Sequence, residues 1–391
     1  MTLKFVTPQE FERIQEIATY CFPWMHNVKD AIRKYINNYI NSEYILGYYD
    51  EEDSLMAQVV VFPFQIYICE KLLNMGGVAL VSSMPEIRHG GKIGLLLQEW
   101  LKIMRERNQY VSMLGPFSYE FYRKYGWELA FERKTYIIPI DLLSHFKNSG
   151  SLKKAEINDI PIIDKIYTGY AKSHNGCAVR DNLLWNDFTI SHPWDDNYSR
   201  YTYIYKDDMG RERGYLIYKL KEEKIEIIEM IYEDNKALKG MLNFIYAHQS
   251  QAKEVVWSTA MDDKLPLLLT NQRIRVEINP GMMFRVVDVV QALRSRGYPE
   301  SGRFSIGITD KYASWNEVTI DVDISEREVE IKECAYPQIK CDIQTFSQIF
   351  LGFITPMEAY NLGKLEAEDI EAVKEMNKIF KKSYTFNNNS F

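Results

Sequence analysis

Apolar residues recur at helical spacing at Phe11, Ile14, Ile17, Ala18 and Cys21, and again at Ile32, Tyr35, Ile36, Tyr39 and Ile40, so two amphipathic helices are expected near the start of the chain. Beyond them the period shortens. Tyr44 to Tyr49, Ala57 to Cys69 and Val78 to Ser83 read as strands, and Pro63 within the second marks a bulge or an edge, where no backbone donor is needed. A glycine-bearing loop from Arg88 to Gly94 leads into a helix with Leu96, Leu97, Trp100, Leu101 and Met104 at core spacing, and Tyr110 to Leu114 closes with a strand.

A similar order recurs after about residue 150: a helix over Pro161–Tyr170, strands at Tyr201–Tyr205, Tyr215–Leu220 and Ile225–Tyr232, a helix over Leu238–His248, and a strand at Val255–Thr259. Asp207 to Gly214 reads as a hairpin turn between apolar strands. In this second copy the link into the helix is Glu233-Asp234-Asn235-Lys236, which has no glycine and opens with two acids. A phosphate would be repelled there, so the first copy alone is expected to hold a nucleotide-like cofactor. A third segment is expected to start near Pro280 with a helix carrying Val286, Val289, Val290 and Leu293. It continues with a period-two strand, Val318, Ile320, Val322 and Ile324, and ends in helical stripes at Phe346, Ile349 and Phe350 and from Ile370 to Phe380, before the polar tail Asn387-Asn388-Asn389-Ser390-Phe391. The expectation is an α/β (α+β) protein of three domains, 1–150, 151–283 and 284–391, the first two with mixed central sheets flanked by helices.

Length agrees, since 391 residues exceed what one hydrophobic core usually serves. With 46% hydrophobic, 14% aromatic and 26% charged residues the chain is an ordinary globular one. A net charge of −7 argues against affinity for nucleic acid or anionic membrane and favours cationic partners. Five scattered cysteines, Cys21, Cys69, Cys177, Cys334 and Cys341, show neither metal-ligand nor disulfide-framework spacing, so no metal is expected and a reducing cytoplasm fits. The N-terminus lacks the pattern of a secretory leader and no apolar run is long enough to span a bilayer, which points to a soluble cytosolic protein.

The strongest chemical signal is the run from Val78 through Ser83 and Met84-Pro85-Glu86-Ile87-Arg88-His89-Gly90-Gly91-Lys92-Ile93-Gly94. A pyrophosphate needs backbone N–H groups converging at the positive end of a helix, glycines admit it closely, and Arg88 and Lys92 add charge there. A helix that merely starts with a tight turn would look the same. The run resembles the signature of the GNAT acetyltransferases, an Arg or Gln, two residues, Gly, one residue, then Gly or Ala. It departs from it at Ile93, where the second small residue belongs, and Gly94 comes one position late. The resemblance implies coenzyme binding by the backbone of Val81, Ser82 and Ser83 and by Arg88, His89, Gly90, Gly91, Lys92, Ile93 and Gly94. Downstream, Phe121-Tyr122-Arg123-Lys124-Tyr125-Gly126-Trp127 resembles the GNAT closing motif, in which Tyr122 matches the tyrosine beside the coenzyme sulfur and Tyr125 a packing aromatic; a buried structural tyrosine is the other reading.

Over its whole length the chain resembles the enhanced intracellular survival (Eis) family of tandem GNAT domains followed by a sterol-carrier-like α+β domain. Asn175-Gly176-Cys177-Ala178-Val179-Arg180 with Trp185, Gly281-Met282-Met283-Phe284-Arg285-Val286-Val287-Asp288 and a terminal Phe carry that likeness. The resemblance implies multi-site acetylation of aminoglycoside-like polyamines, with acetyl-CoA as donor and a closed homo-oligomer, a hexamer. It also implies a general acid at Tyr122 and a general base at the carboxylate of Phe391. Phe22, Trp24 and Phe117 are expected near the acceptor cleft, where aromatics suit a cationic, sugar-like substrate. Two other readings stay open: a ligand carrier with vestigial GNAT domains, and a tandem-GNAT acyl or aminoacyl transferase acting on cell-wall precursors.

Overall fold

The computed structural model describes residues 2–23, 43–88, 90–147, 149–189, 198–325 and 328–389. The expected helix over Ile32–Ile40, Trp24, His89 and Phe391 lie outside the described residues. The chain forms two compact units, one of Met1–Phe131, Asn175–Ala178 and Gly281–Phe391 and the other of Glu132–His174 and Val179–Pro280.

The first unit opens with β1 (Thr2–Phe5), α1 (Phe11–Cys21), β2 (Ile45–Tyr49), β3 (Leu55–Ile68), β4 (Lys71–Ser83), α2 (Lys92–Glu106), β5 (Val111–Leu114), α3 (Tyr119–Arg123) and β6 (Glu128–Leu129). β1 to β4 are antiparallel neighbours, β4 and β5 run parallel, and the strand Met283–Val286 is inserted between β5 and β6. The stripe Leu96, Leu97, Trp100, Leu101 and Met104 is buried on this sheet, beside Leu46, Val59, Val61 and Val78. Trp100 Nε1 donates to the Val59 carbonyl at 3.0 Å, so the largest ring of the stripe buries no unmet donor. Truncating it would cost about 3–5 kcal/mol. Pro63 sits where β3 has outrun β2, whose pairing stops at Val60, so it occupies an edge; the bulge lies elsewhere, between Gln58 and Val60.

Val286 does not belong to a helix. It ends a strand whose register pairs it with Val111, and the helix begins only at Val289, where the Asp288 carboxylate accepts from the Gln291 N–H at 2.9 Å. A run of β-branched valines suits either state, and the vacant place between β5 and β6 decided it. The rest of the unit is a five-stranded sheet (Gly302–Thr309, Val318–Ile324, Val329–Glu333, Ile339–Asp342, Leu365–Ala367) packed by helices Ile343–Leu351 and Ile370–Ile379. Phe346, Ile349, Phe350, Val373, Met376 and Ile379 share one core with Met75, Met113 and Phe284 of the first sheet.

The second unit has its own seven-stranded sheet, in spatial order Arg275–Pro280, Glu132–Pro139, Glu254–Thr259, Lys224–Tyr232, Glu212–Lys221, Arg200–Lys206 and Ser151–Lys154, with helices Ile160–Lys172 and Asn235–Tyr246. The hairpin expected at Asp207–Gly214 forms, with the Asp207 N–H donating to the Arg211 carbonyl at 2.9 Å and Gly210 at φ +77°. The architecture is thus three mixed sheets flanked by helices.

Candidate active site

β4 and β5 pair in parallel from Met75 with Val111 to Val78 with Leu114, and there the pairing ends. β4 runs on to Ser83, still bonded to β3, while β5 gives way at Gly115-Pro116 to the loop before α3. The register shift in β4 places Leu80 in the left-handed region at φ +45°, so the strand kinks where its neighbour leaves it. Val81 and Ser83 are half-buried, and the Ser82 side chain turns inward, its hydroxyl donating to the Leu80 carbonyl at 3.0 Å. The side of β4 facing the gap thereby presents backbone groups of residues 80–83 that have no strand partner.

From the end of β4 the chain passes through a turn at Pro85–Ile87 to Gly90, Gly91 and α2. Gly91 is the N-cap of α2, at φ +70°, with no side-chain cap. The first-turn N–H groups of Lys92, Ile93 and Gly94 therefore point outward at the positive end of a 15-residue helix. A Cβ at Gly91 would meet nothing within 4 Å, so this glycine serves the conformation and the open space before it. Gly94 serves another purpose: a Cβ there would come 2.5 Å from the Tyr125 hydroxyl, so the glycine one place late in the motif admits Tyr125 against the first turn of α2. Arg88 donates to the Ser83 carbonyl at 3.3 Å with its guanidinium 5.5 Å from the Tyr20 ring, and Lys92 Nζ stands 5.0 Å from the Tyr48 ring. Among the described residues these features fit a pyrophosphate: first-turn N–H groups without a backbone partner, open space before Gly91 and two cations.

Across the gap, Ser118 caps α3 by accepting from the Phe121 N–H at 3.2 Å, which sets Tyr122 on the inner face of the helix. Tyr122 is only 3% exposed, and burial pushes its phenol well above the ordinary tyrosine value. Its hydroxyl has no hydrogen-bond partner among the described residues. Phe117 lies edge-on to it with ring centroids 5.2 Å apart and is itself 65% exposed, so it forms a rim. Phe22 follows Cys21 at the end of α1, and the Cys21 thiol donates to the Ser83 carbonyl at 3.3 Å, which brings α1 to the same end of β4. Cys21 also accepts from Arg88 Nη2 at 3.6 Å, a link that no sequence pattern signalled.

Family models for an acetyltransferase (GNAT) domain match residues 2–130 and, separately, residues 176–286, and one for a sterol carrier protein domain matches residues 289–386. The chain is an acyltransferase with two GNAT domains. It is similar in structure to a probable N-acyltransferase from Enterococcus faecalis V583, at 26% identity and TM-score 0.90, over 100% of this chain and 99% of that one. It is also similar to a GCN5-related N-acetyltransferase from Anabaena variabilis ATCC 29413 (23% identity, TM-score 0.90, 100% of both chains). A third likeness is to Eis1 from Mycobacterium abscessus (18% identity, TM-score 0.81, 100% of both chains). The last two speak for the fold alone. Among curated proteins, none matches the chain.

The second GNAT domain of this acyltransferase is built differently at the corresponding place. Its helix Asn235–Tyr246 is capped by the Asp234 carboxylate, which accepts from the Ala237 N–H at 2.9 Å, so an anion already occupies the helix start. Its parallel strands pair only from Lys224–Glu254 to Ile227–Trp257, but the place beyond is bridged by the Tyr232 hydroxyl donating to Asp263 at 3.1 Å. A buried pair, Arg180 with Glu229 at 2.7 and 2.8 Å, and the Tyr215 hydroxyl bonded to the same carboxylate at 2.5 Å fill the interior nearby.

The C-terminal tail of the acyltransferase is not frayed. The Asn175 N–H donates to the Tyr384 carbonyl at 2.8 Å and the Phe386 N–H to the Asn175 carbonyl at 3.0 Å, so the tail lies alongside Asn175–Ala178. That segment is bonded in turn to β3, Gly176 N–H to Tyr67 carbonyl at 2.8 Å and Tyr67 N–H to Cys177 carbonyl at 2.9 Å. Asn387 reaches within 3.9 Å of the Met113 sulfur, one residue before β5 ends at the gap, and Asn389 is buried. The described tail thus lies against β5 and Asn175–Ala178, and Phe391 itself lies outside the described residues.

Proposed function

We propose that the chain transfers an acetyl group from acetyl-CoA to amines of a polycationic, aminoglycoside-like small molecule by direct attack in a ternary complex. The observation that carries this reading is the contrast between the two GNAT domains: an uncapped, glycine-led helix start beside a strand gap in the first, a carboxylate-capped helix start beside a bridged one in the second.

Bound acetyl-CoA would supply an activated acyl thioester. The N–H groups at the start of α2, Gly90, Gly91, Lys92, Ile93 and Arg88 would hold its phosphates, with His89 in the same loop, and the backbone of Val81, Ser82 and Ser83 on the side away from β3 would align its pantetheine and polarise the carbonyl. Tyr122, kept protonated by burial, would hold a proton for the departing thiolate, a group of pKa roughly 8.5. The acceptor amine arrives as an ammonium and needs a base. The Phe391 carboxylate is our candidate, supported by a tail anchored through Asn389; at a reference pKa of roughly 3.5 it is a weak base that works best when partly desolvated. Phe22, Trp24 and Phe117 would line the acceptor side, with net charge −7 favouring a cation. The Eis resemblance supports a hexamer acting in the cytoplasm.

Mass spectrometry of an aminoglycoside incubated with acetyl-CoA and the protein tests the reading: two or more acetyl increments are expected. No increment on any polycationic amine would overturn it, and acylation of a cell-wall precursor instead would favour the neighbouring class of acceptor.

A further inference from the structure

Tyr125 stands between two parts of the proposed site. Its hydroxyl abuts Gly94 in the first turn of α2, and its ring lies 5.5 Å from that of Phe121, which meets the Tyr122 ring edge-on at 5.1 Å. Whatever fixes Tyr125 therefore fixes the helix start, while the Phe121 ring stands between it and the Tyr122 phenol.

Tyr125 is held from outside the first domain. Its carbonyl accepts from Arg285 Nη1, and a Cβ on the next residue, Gly126 at φ +92°, would collide with that guanidinium. Arg285 is wholly buried and paired with Asp310 of the sterol-carrier-like domain at 2.5 Å. Asp310 also accepts from Asn316 Nδ2 at 3.0 Å and from the Tyr312 N–H at 3.2 Å, so it fixes the turn that carries Tyr312. The Tyr312 ring stands 4.9 Å from the Tyr125 ring at 52°. Backbone and ring of Tyr125 are thus both gripped through Asp310, by two routes.

We infer that Tyr312, in the sterol-carrier-like domain, is a positioning residue for coenzyme binding in the first GNAT domain, pressing Tyr125 onto Gly94 so that the N–H groups at the start of α2 keep their aim. The inference rests on the proposed coenzyme site. Tyr312 acts through its ring face, since its backbone, not its hydroxyl, makes the bond to Asp310. Without the ring, Tyr125 can swing off the first turn of α2, and a preorganised donor cluster becomes one that binding must order. Arg285 and Asp310 would be poor probes, because removing either strands a buried charge. Tyr312 is half-buried and packs on the margin of the α2 core rather than within it, so its truncation strands no buried charge.

The experiment is calorimetric titration of coenzyme A into the full chain as wild type, Tyr312→Phe and Tyr312→Ala, with steady-state kinetics and thermal melts beside it. Tyr312→Ala is expected to weaken coenzyme A about three- to tenfold, the worth of one aromatic pair. Tyr312→Phe should restore wild-type affinity, and acceptor KM and kcat at saturating acetyl-CoA should stay within about twofold in both. Unchanged coenzyme affinity in Tyr312→Ala, or an equal loss in Tyr312→Phe, overturns the inference, as does a loss that tracks a fall in melting temperature. If Tyr312→Ala does not fold, Tyr312→Leu keeps the bulk without the ring and is read by the same criteria. Failure of the wild type itself to bind coenzyme A would instead overturn the coenzyme site on which the inference rests.

Discussion

Asn387 Nδ2 donates to the carbonyl of Gly176 at 2.9 Å, and so ties the chain's last described stretch to a four-residue segment that is itself bonded to β3. Asn387 Oδ1 accepts in return from the Asn389 N–H at 2.7 Å, closing a turn. A run of asparagines that reads as a loose end is thus a fastened one. Deleting Ser390 and Phe391, or extending the chain with a C-terminal tag, is expected to cut acetyl transfer severely while leaving coenzyme affinity and melting temperature near wild type. Full turnover in the truncated chain would assign the base to another group.

Coenzyme A is expected to bind once per chain. Calorimetry that returns two sites would contradict the capped helix start of the second domain. Gly91→Val should abolish binding: the left-handed backbone costs a β-branched residue about 1–2 kcal/mol, and its side chain would project into the open approach before α2.

Tyr122→Phe is expected to lower kcat by about a hundredfold, at the lower end of general acid contributions, with little change in coenzyme affinity. Burial raises the Tyr122 phenol above its ordinary value near 10, so the proton is still on the oxygen throughout the assay range. The wild-type kcat profile should accordingly show no loss on the alkaline side up to about pH 10 that disappears in Tyr122→Phe. Such a loss would mean that the phenol titrates earlier, or is not the acid.

Glu229→Ala should destabilise the second unit by about 3–5 kcal/mol, because it leaves the fully buried Arg180 guanidinium without its carboxylate and the Tyr215 hydroxyl without its acceptor. A melting temperature within a degree or so of wild type would show that the pair contributes little. Coenzyme affinity serves as the control and is expected to persist, since the loop from Arg88 to Lys92 belongs to the other unit.

Local pattern and composition determined much of this protein. The stripe from Leu96 to Met104 could be read as a buried helix because its period is the helix's own, and the glycines before it as a helix start. The acids at Glu233 and Asp234 foretold the difference between the copies, since a carboxylate beside a helix start acts the same way in any fold. What tertiary structure alone decided depends on partners far away in the chain. Val286 became a strand because a place stood vacant between β5 and β6. Gly94 faces Tyr125 rather than repairing the motif, because the two meet only once α2 and the Tyr125–Gly126 turn are packed together. The asparagine tail is ordered because Asn175, Gly176 and Met113 offer it donors, acceptors and cover, and a hydrogen bond across more than two hundred residues leaves no periodicity for a sequence to display.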